Sequence, residues 1–199
     1  LPAPKPLDRY YDDNAWMVLA LVETHEVLGD RKYLDWAKEA LDFTLTGEAK
    51  DGGIYWRESD RASRNTCSNA PSAAACLAVY KHTKDAKLLA KARELYDWTR
   101  KHLQDPVDGL YWDNLANDGK IDKTKWSYNT ALMIRTAAEL REIDPKSVDE
   151  DDLRRMVDAS HKRWFGKLKY DDVGRFAHLL LESWLSAGSR KLDYSSALE

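Results

Sequence analysis

Apolar positions along the chain fall into two kinds of segment. The first is apolar throughout. Met17-Val18-Leu19-Ala20-Leu21-Val22 offers no polar side to water, which predicts a helix from about Asn14 to Leu28 buried on all faces. Gly29 ends it as a left-handed cap. The second kind is amphipathic. Tyr33, Leu34, Ala37, Leu41 and Leu45 recur at helical spacing, with Asp35, Lys38, Glu39 and Asp42 opposite them. That predicts a helix from Lys32 to about Leu45, capped by Asp30. A turn forced by Gly52 and Gly53 follows, and Ile54-Tyr55-Trp56 reads as a brief β-strand.

The pairing then repeats. Asn69-Ala70-Pro71 opens a small apolar helix over 72–80, with Pro71 in its first turn. Asp85 begins a second amphipathic helix, Leu88 to Leu103, and Asp108-Gly109-Leu110-Tyr111-Trp112 echoes the earlier loop. Asn14 to Asn69, Asp30 to Asp85 and Asp42 to Asp97 are each 55 residues apart, and Trp56 to Trp112 is 56. A third unit starts at Tyr128-Asn129-Thr130, with an inner helix over 131–140 and an outer one from Asp151 to about Trp164. A fourth begins near Asp171–Phe176 and runs through 177–185.

A period near 55 residues is too long for tetratricopeptide or ankyrin repeats, which run at about 34 and 33. Long hairpins whose first helix is wholly apolar predict two concentric layers. The fold class is therefore all-α, an (α/α) toroid of helical hairpins, and incomplete because fewer than four units are present. The hairpin domain spans 10–187, after a Pro-rich lead-in over 1–9 and before a tail over 188–199 that ends in a candidate cloning scar, Leu198-Glu199. An open ring exposes the sides of its inner helices, and self-association is the expected consequence.

Composition narrows the function. Lys and Arg total 31 against 34 Asp and Glu, a net charge of −3, which leaves no electrostatic footprint for nucleic acid or an anionic membrane. No apolar run approaches the ~20 residues of a membrane span. Cys67 and Cys76, nine residues apart, lack metal-ligand spacing and read as small buried residues, their redox state open. Eight Trp and ten Tyr suit sugar rings, and they also fill helical cores.

In a toroid the loops entering the inner helices gather at one end. Asp12, Asp13, Asn14, Asn69, Asn129 and Arg175 occupy equivalent entry positions, so the repeat turns scattered polar residues into one constellation. One aspartate suffices to cap a helix. A second, in a stretch flanked by Tyr10, Tyr11 and Trp16, points to a cleft where carboxylates meet a ring-shaped ligand. Glycoside hydrolysis needs two carboxyls across the scissile bond, ~5–5.5 Å apart in retaining enzymes and ~6.5–9.5 Å apart in inverting ones. Like charges also oppose double ionisation, which separates the two titrations. Trp56, Trp112, Trp126 and Tyr128 are candidate stacking platforms, each equally able to pin its own loop. There is no G-x-S-x-G, P-loop, G-x-G-x-x-G or H-E-x-x-H, and no metal or cofactor is expected. His178 and Glu182 read as a core pair, and Asp171-Asp172 as a capped loop.

The runs YYDDNAWM, GGIYWRE, NTCSNAP, DGLYWDN, KWSYNTALMI and GRFAHLLLE, spread in order from Tyr10 to Glu182, resemble glycoside hydrolase family 76. Those are α-1,6-mannanases and related fungal wall transglycosidases, built as six helical hairpins. The resemblance implies an endo-acting, retaining attack on α-1,6-mannan without a metal. It makes Asp12 the nucleophile and Asp13 the general acid/base, sets Asn69 and Asn129 at sugar subsites, and implies action outside the cytoplasm, extracellular or periplasmic. Two other readings use the same toroid. An epimerase or glucuronyl hydrolase would need a histidine acid/base or a cationic clamp such as Arg57 with Arg175. A non-catalytic carbohydrate-binding fragment would need neither acid.

Overall fold

In the computed structural model, which describes residues 8–166 and 170–188, seven helices alternate between an inner and an outer layer. The lead-in over 1–7, the tail from 189 and Lys167 and Lys169 lie outside the described residues. The inner helices are α1 (Tyr11–Leu28), α3 (Thr66–Thr83), α5 (Ser127–Ile143) and α7 (Ala177–Gly188). They pack in sequence, α1 on α3, α3 on α5 and α5 on α7. The outer helices α2 (Arg31–Leu45), α4 (Ala86–Leu103) and α6 (Glu150–Phe165) each pack against the inner helix that precedes them. This is an arc of the toroid that the repeat predicts.

The layers differ in how their N-termini are closed. Each outer helix has an aspartate cap whose side chain accepts a backbone N–H: Asp30 from Lys32 (3.0 Å), Asp85 from Lys87 (2.9 Å) and Asp149 from Asp151 (2.9 Å). The inner helices α1, α3 and α5 follow Tyr10, Asn65 and Trp126, none of which makes a side-chain cap. Their first N–H groups are satisfied from other loops instead. Tyr11 donates to the Trp56 carbonyl (3.0 Å), Thr66 to the Asp113 carbonyl (2.8 Å) and Ser127 to the Asp172 carboxylate (2.7 Å). Each entry loop is thereby tied to the next, and the inner helix mouths are held side by side.

Three features depart from the pattern read in the sequence. Helix α1 is not buried all round. Tyr11, Ala15, Val18 and Val22 form its buried stripe, whereas Met17, Val27 and Leu28 face outward, because α1 ends the arc among the described residues. Helix α3 starts at Thr66, six residues before Ser72, so Pro71 lies inside the helix rather than at its first turn. The buried Asn69 carboxamide donates to the Asn65 carbonyl, one turn back, at 2.8 Å. Finally, Ile54-Tyr55-Trp56 forms no strand of its own. Ile54 and Tyr55 make isolated bridges to Glu48 and Arg64, while the strands proper are β1 (Ser63–Asn65), β2 (Asn114–Ala116) and β3 (Ile121–Asp122), an antiparallel sheet in that order. That sheet stands beside the mouths of α3 and α5.

Candidate active site

The loops and helix mouths enclose a cleft of about 460 Å³ lined by Asp12, Trp56, Cys67, Asp113, Trp126, Tyr128 and Arg175, among others. Asp12 is the second residue of α1. Its Oδ2 accepts the Trp56 indole N–H at 3.1 Å, and its Oδ1 is buried with no hydrogen-bond partner. Burial, followed by the neighbouring Asp13 charge, pushes the Asp12 carboxyl above its usual value; the Trp56 hydrogen bond pulls part of it back.

Asp113, at the entrance to β2, also lines the cleft. Burial raises this carboxyl too, and the amides of Asn114 and Asn129 and the Trp126 indole work against the rise. Asn114 Nδ2 donates to Asp113 Oδ2 at 2.9 Å. Tyr128 leans on Phe176 with ring centroids 4.4 Å apart. Burial first, and then the charges of Cys67, Asp113 and Asp12, push its phenol up. The site is thus two half-buried carboxyls among aromatic faces, with the Arg175 guanidinium stacked at 5.2 Å over Phe176 on the rim.

The residues singled out from the sequence divide into three groups. Asp12, Trp56, Trp126, Tyr128 and Arg175 come together in the cleft. Asp13 follows Asp12 in the first turn of α1 and is exposed, outside the cleft lining. Asn129 is fully buried behind Asp113. Tyr11, Trp16, Asn69 and Trp112 lie elsewhere. Tyr11 is fully buried, stacked on Phe43 at 5.3 Å, with its hydroxyl accepting from Arg61 at 3.1 Å. Trp16 packs against the main core. Asn69 is fully buried and clamps Ile54 at both its N–H (2.6 Å) and its carbonyl (3.0 Å). Trp112 donates its indole N–H to Asp105 at 3.2 Å, pinning the loop it belongs to.

Asp113 and Cys67 are two of the cleft residues that the sequence pattern did not bring forward. The signal for Asp113 was present. The backbone carbonyl that receives the first N–H of a unit's own inner helix belongs to Trp56 in the first unit and to Asp113 in the second. Aligning Trp56 with Trp112 is therefore one residue short. In extended chain a one-residue slip turns the side chain to the opposite face, which sends Trp112 to Asp105 and Asp113 to the cleft. Of the remaining acids, Asp171 pairs with Arg163 at 3.1 Å and Asp172 caps α5, so that pair closes a loop.

Comparison with known proteins supports this reading at the level of family. The sequence model of glycosyl hydrolase family 76 matches residues 1–182. Comparison with curated proteins found no match. Among solved structures, a family 76 α-mannanase from Bacteroides thetaiotaomicron is similar at 31% identity and a TM-score of 0.88, covering 94% of this chain and 54% of that one. An inactive variant of an α-1,6-mannanase from Salegentibacter, with two consecutive aspartates replaced by asparagine and α-1,6-mannotriose bound, is similar at 25% identity and a TM-score of 0.84, covering 94% of this chain and 60% of that one. A cellobiose 2-epimerase from Bacillus thermoamylovorans shares the fold alone, at 13% identity and a TM-score of 0.75. The chain spans little more than half the length of these proteins.

Proposed function

The chain belongs to glycosyl hydrolase family 76, and from that premise we propose that its cleft takes an α-1,6-linked mannan chain and that Asp12 and Asp13 cleave it with retention. In this reading Asp12 is the nucleophile and Asp13 the general acid/base. One observation carries it: the Asp12 carboxylate lies among Trp56, Trp126 and Tyr128 in a cleft large enough for a sugar ring. Aromatic faces take the apolar side of a pyranose, and buried carboxylates take its hydroxyls or its anomeric carbon. The Trp56 N–H on Oδ2 holds one face of the carboxylate still, which favours a single line of attack. Asp113 offers a further acceptor for a sugar hydroxyl. The linkage rests on the mannotriose bound to the Salegentibacter relative. Action on such a polymer places the protein outside the cytoplasm.

The test is hydrolysis of linear α-1,6-mannan by the chain, by Asp12→Asn and by Asp13→Asn. Loss of activity in both variants is expected, and equal activity in all three would reject the assignment.

A second reading, carbohydrate binding without cleavage, is favoured by the exposure of Asp13 and its place outside the cleft lining. Manno-oligosaccharide that binds, with no bond broken at high protein concentration, identifies that reading.

A further inference from the structure

The first N–H of each of α1, α3 and α5 bonds to another loop, and the third of these contacts differs in kind. Trp56 and Asp113 accept from α1 and α3 at main-chain carbonyls, which no side-chain substitution removes. Ser127, the first residue of α5, donates instead to Oδ2 of the Asp172 carboxylate at 2.7 Å. The other oxygen, Oδ1, accepts the N–H of Val173, also at 2.7 Å. One charged group therefore spans from the mouth of α5 to the start of the segment 173–176.

Both ends of that span lie on the cleft. Trp126 and Tyr128 flank Ser127 in sequence, Val173, Arg175 and Phe176 follow Asp172, and all five line the cleft. The segment folds back through one 3-10 turn, Gly174–Phe176, in which Phe176 donates its N–H to the Val173 carbonyl at 2.9 Å. Its far end meets α5 again where the Phe176 and Tyr128 rings stand 4.4 Å apart at their centroids. Ser127, Asp172, Val173, Phe176 and Tyr128 form a closed circuit.

We propose that Asp172 is a positioning residue for the sugar site: it holds the segment 173–176 to the mouth of α5, keeps Phe176 against Tyr128, and so fixes that wall of the cleft. The proposal rests on the reading of the cleft as a mannan site.

Packing does little to hold this wall. Val173 is 40% exposed, Arg175 is exposed, and a Cβ at Gly174 would have no neighbour within 4 Å. A carboxylate on a helix N-terminus is a stronger tie than a carbonyl, because the charge strengthens the bond and suits the helix dipole. The stem behind the wall has ties of its own. The Tyr170 hydroxyl meets the Ser127 hydroxyl at 2.5 Å, and Asp171 donates its N–H to the Trp164 carbonyl at 2.9 Å while its carboxylate pairs with Arg163 at 3.1 Å. Removing the Asp172 carboxylate therefore frees the wall and leaves the stem anchored. A role for Asp172 in bond cleavage fits less well, because it is absent from the cleft lining and both its oxygens already accept.

The experiment follows the wall directly. Phe43, Phe165 and Phe176 are the three phenylalanines, so ¹⁹F NMR of the chain labelled with fluorophenylalanine resolves each, and Phe176→Leu assigns the signal next to Tyr128. Asp172→Ala removes both bonds. Asp172→Asn keeps one acceptor and loses the other. The Phe176 signal is expected to move towards its unfolded position in Asp172→Ala and part of the way in Asp172→Asn, with Phe43 in place. Affinity for α-1,6-mannotetraose, measured by calorimetry with Asp12→Asn added to prevent turnover, is expected to fall about tenfold in Asp172→Ala and less in Asp172→Asn. With Asp12 intact, KM rises by the same factor, kcat stays within about twofold and the acid limb does not move. A folded Asp172→Ala with an unmoved Phe176 signal overturns the proposal, as does a moved signal with parental affinity, or a fall in kcat at constant KM. A capping role alone would lower Tm and leave both the signal and the affinity in place. If Asp172→Ala does not fold, Asp172→Asn decides by the same outcomes at smaller size. Failure of the mannan reading shows separately, as no binding of mannotetraose by Asp12→Asn alone; the Phe176 signal needs no sugar and then decides whether Asp172 holds the wall.

Discussion

The indole Nε1 of Trp56 donates to Oδ2 of Asp12 across 44 residues of chain, at 3.1 Å. The same Trp56 accepts, at its backbone carbonyl, the N–H of Tyr11, the first residue of α1. One loop residue therefore sets both the start of the helix and the aim of the carboxylate that the helix carries. Trp56→Phe keeps the ring and the backbone bond and removes only the indole donor. Hydrogen bonds to charged groups are worth about 1.5–3 kcal/mol. The expected result is a loss of kcat/KM on α-1,6-mannan of about tenfold to a hundredfold, with the acid limb of the pH profile moved up. Steady-state kinetics across pH check it; an unchanged acid limb would show that the bond does not govern Asp12.

Asp12 is the more general test of electrostatics at the site. Its carboxyl is held above its usual value by burial and by Asp13. Between the unfolded value, about 3.9, and the raised folded value, the native state binds more protons than the unfolded one. Stability then falls as pH rises through that window and stays lower above it. Asp12→Asn removes the buried charge, so its Tm at neutral pH should exceed that of the parent while mannan cleavage is lost. The gain should vanish in acid, below both values. Differential scanning calorimetry from acid to neutral pH is the measurement, and a Tm difference independent of pH would contradict the assigned cause.

Asn69 shows how a residue at the expected place in the repeat can serve the fold. It takes both backbone groups of fully buried Ile54 and the carbonyl of Asn65. Asn69→Ala strands the Ile54 N–H and C=O away from water, at a cost of about 3 kcal/mol. For a domain of this size that lowers Tm by about 6–12 °C. Thermal unfolding monitored by circular dichroism measures it. A loss of sugar affinity with no change in Tm would instead return Asn69 to the ligand.

These cases show what the chain discloses and what it withholds. The hairpins and their order were legible because apolar and amphipathic helices differ in pattern, and because Asp30 and Asp85 mark outer helix starts by a local rule. Three things were not local. The mouth of α3 is polar, Thr66-Cys67-Ser68-Asn69, yet Thr66, Ser68 and Asn69 are fully buried there and Cys67 nearly so, which no periodicity announces. The one-residue difference between the two entry loops put Asp113 where Trp112 was expected. The outward face of α1 depends on which helices surround it, and an apolar run reads the same with or without them.

That outward face leads to the last prediction. Met17 is 54% exposed and Val27 77% on α1, and Leu181 is 41% and Leu185 58% exposed on α7. The two helices lie at opposite ends of the described arc, each neighbouring only one inner helix closely. Two different sticky edges on one particle form a head-to-tail contact, which grows until it closes or precipitates. Sedimentation velocity should show species above the 22.9 kDa chain mass at tens of micromolar, together with enhanced fluorescence of a hydrophobic dye. Met17→Lys and Leu185→Lys should each arrest growth, because a charge at either edge is costly to bury. Mixing the two variants should restore one productive contact, intact α7 edge on intact α1 edge, and stop at a dimer. If the α1 edge paired with itself, Leu185→Lys alone would still dimerise and the mixture would gain nothing. A parent chain that remains at 22.9 kDa and leaves the dye dark would remove the edges from consideration altogether.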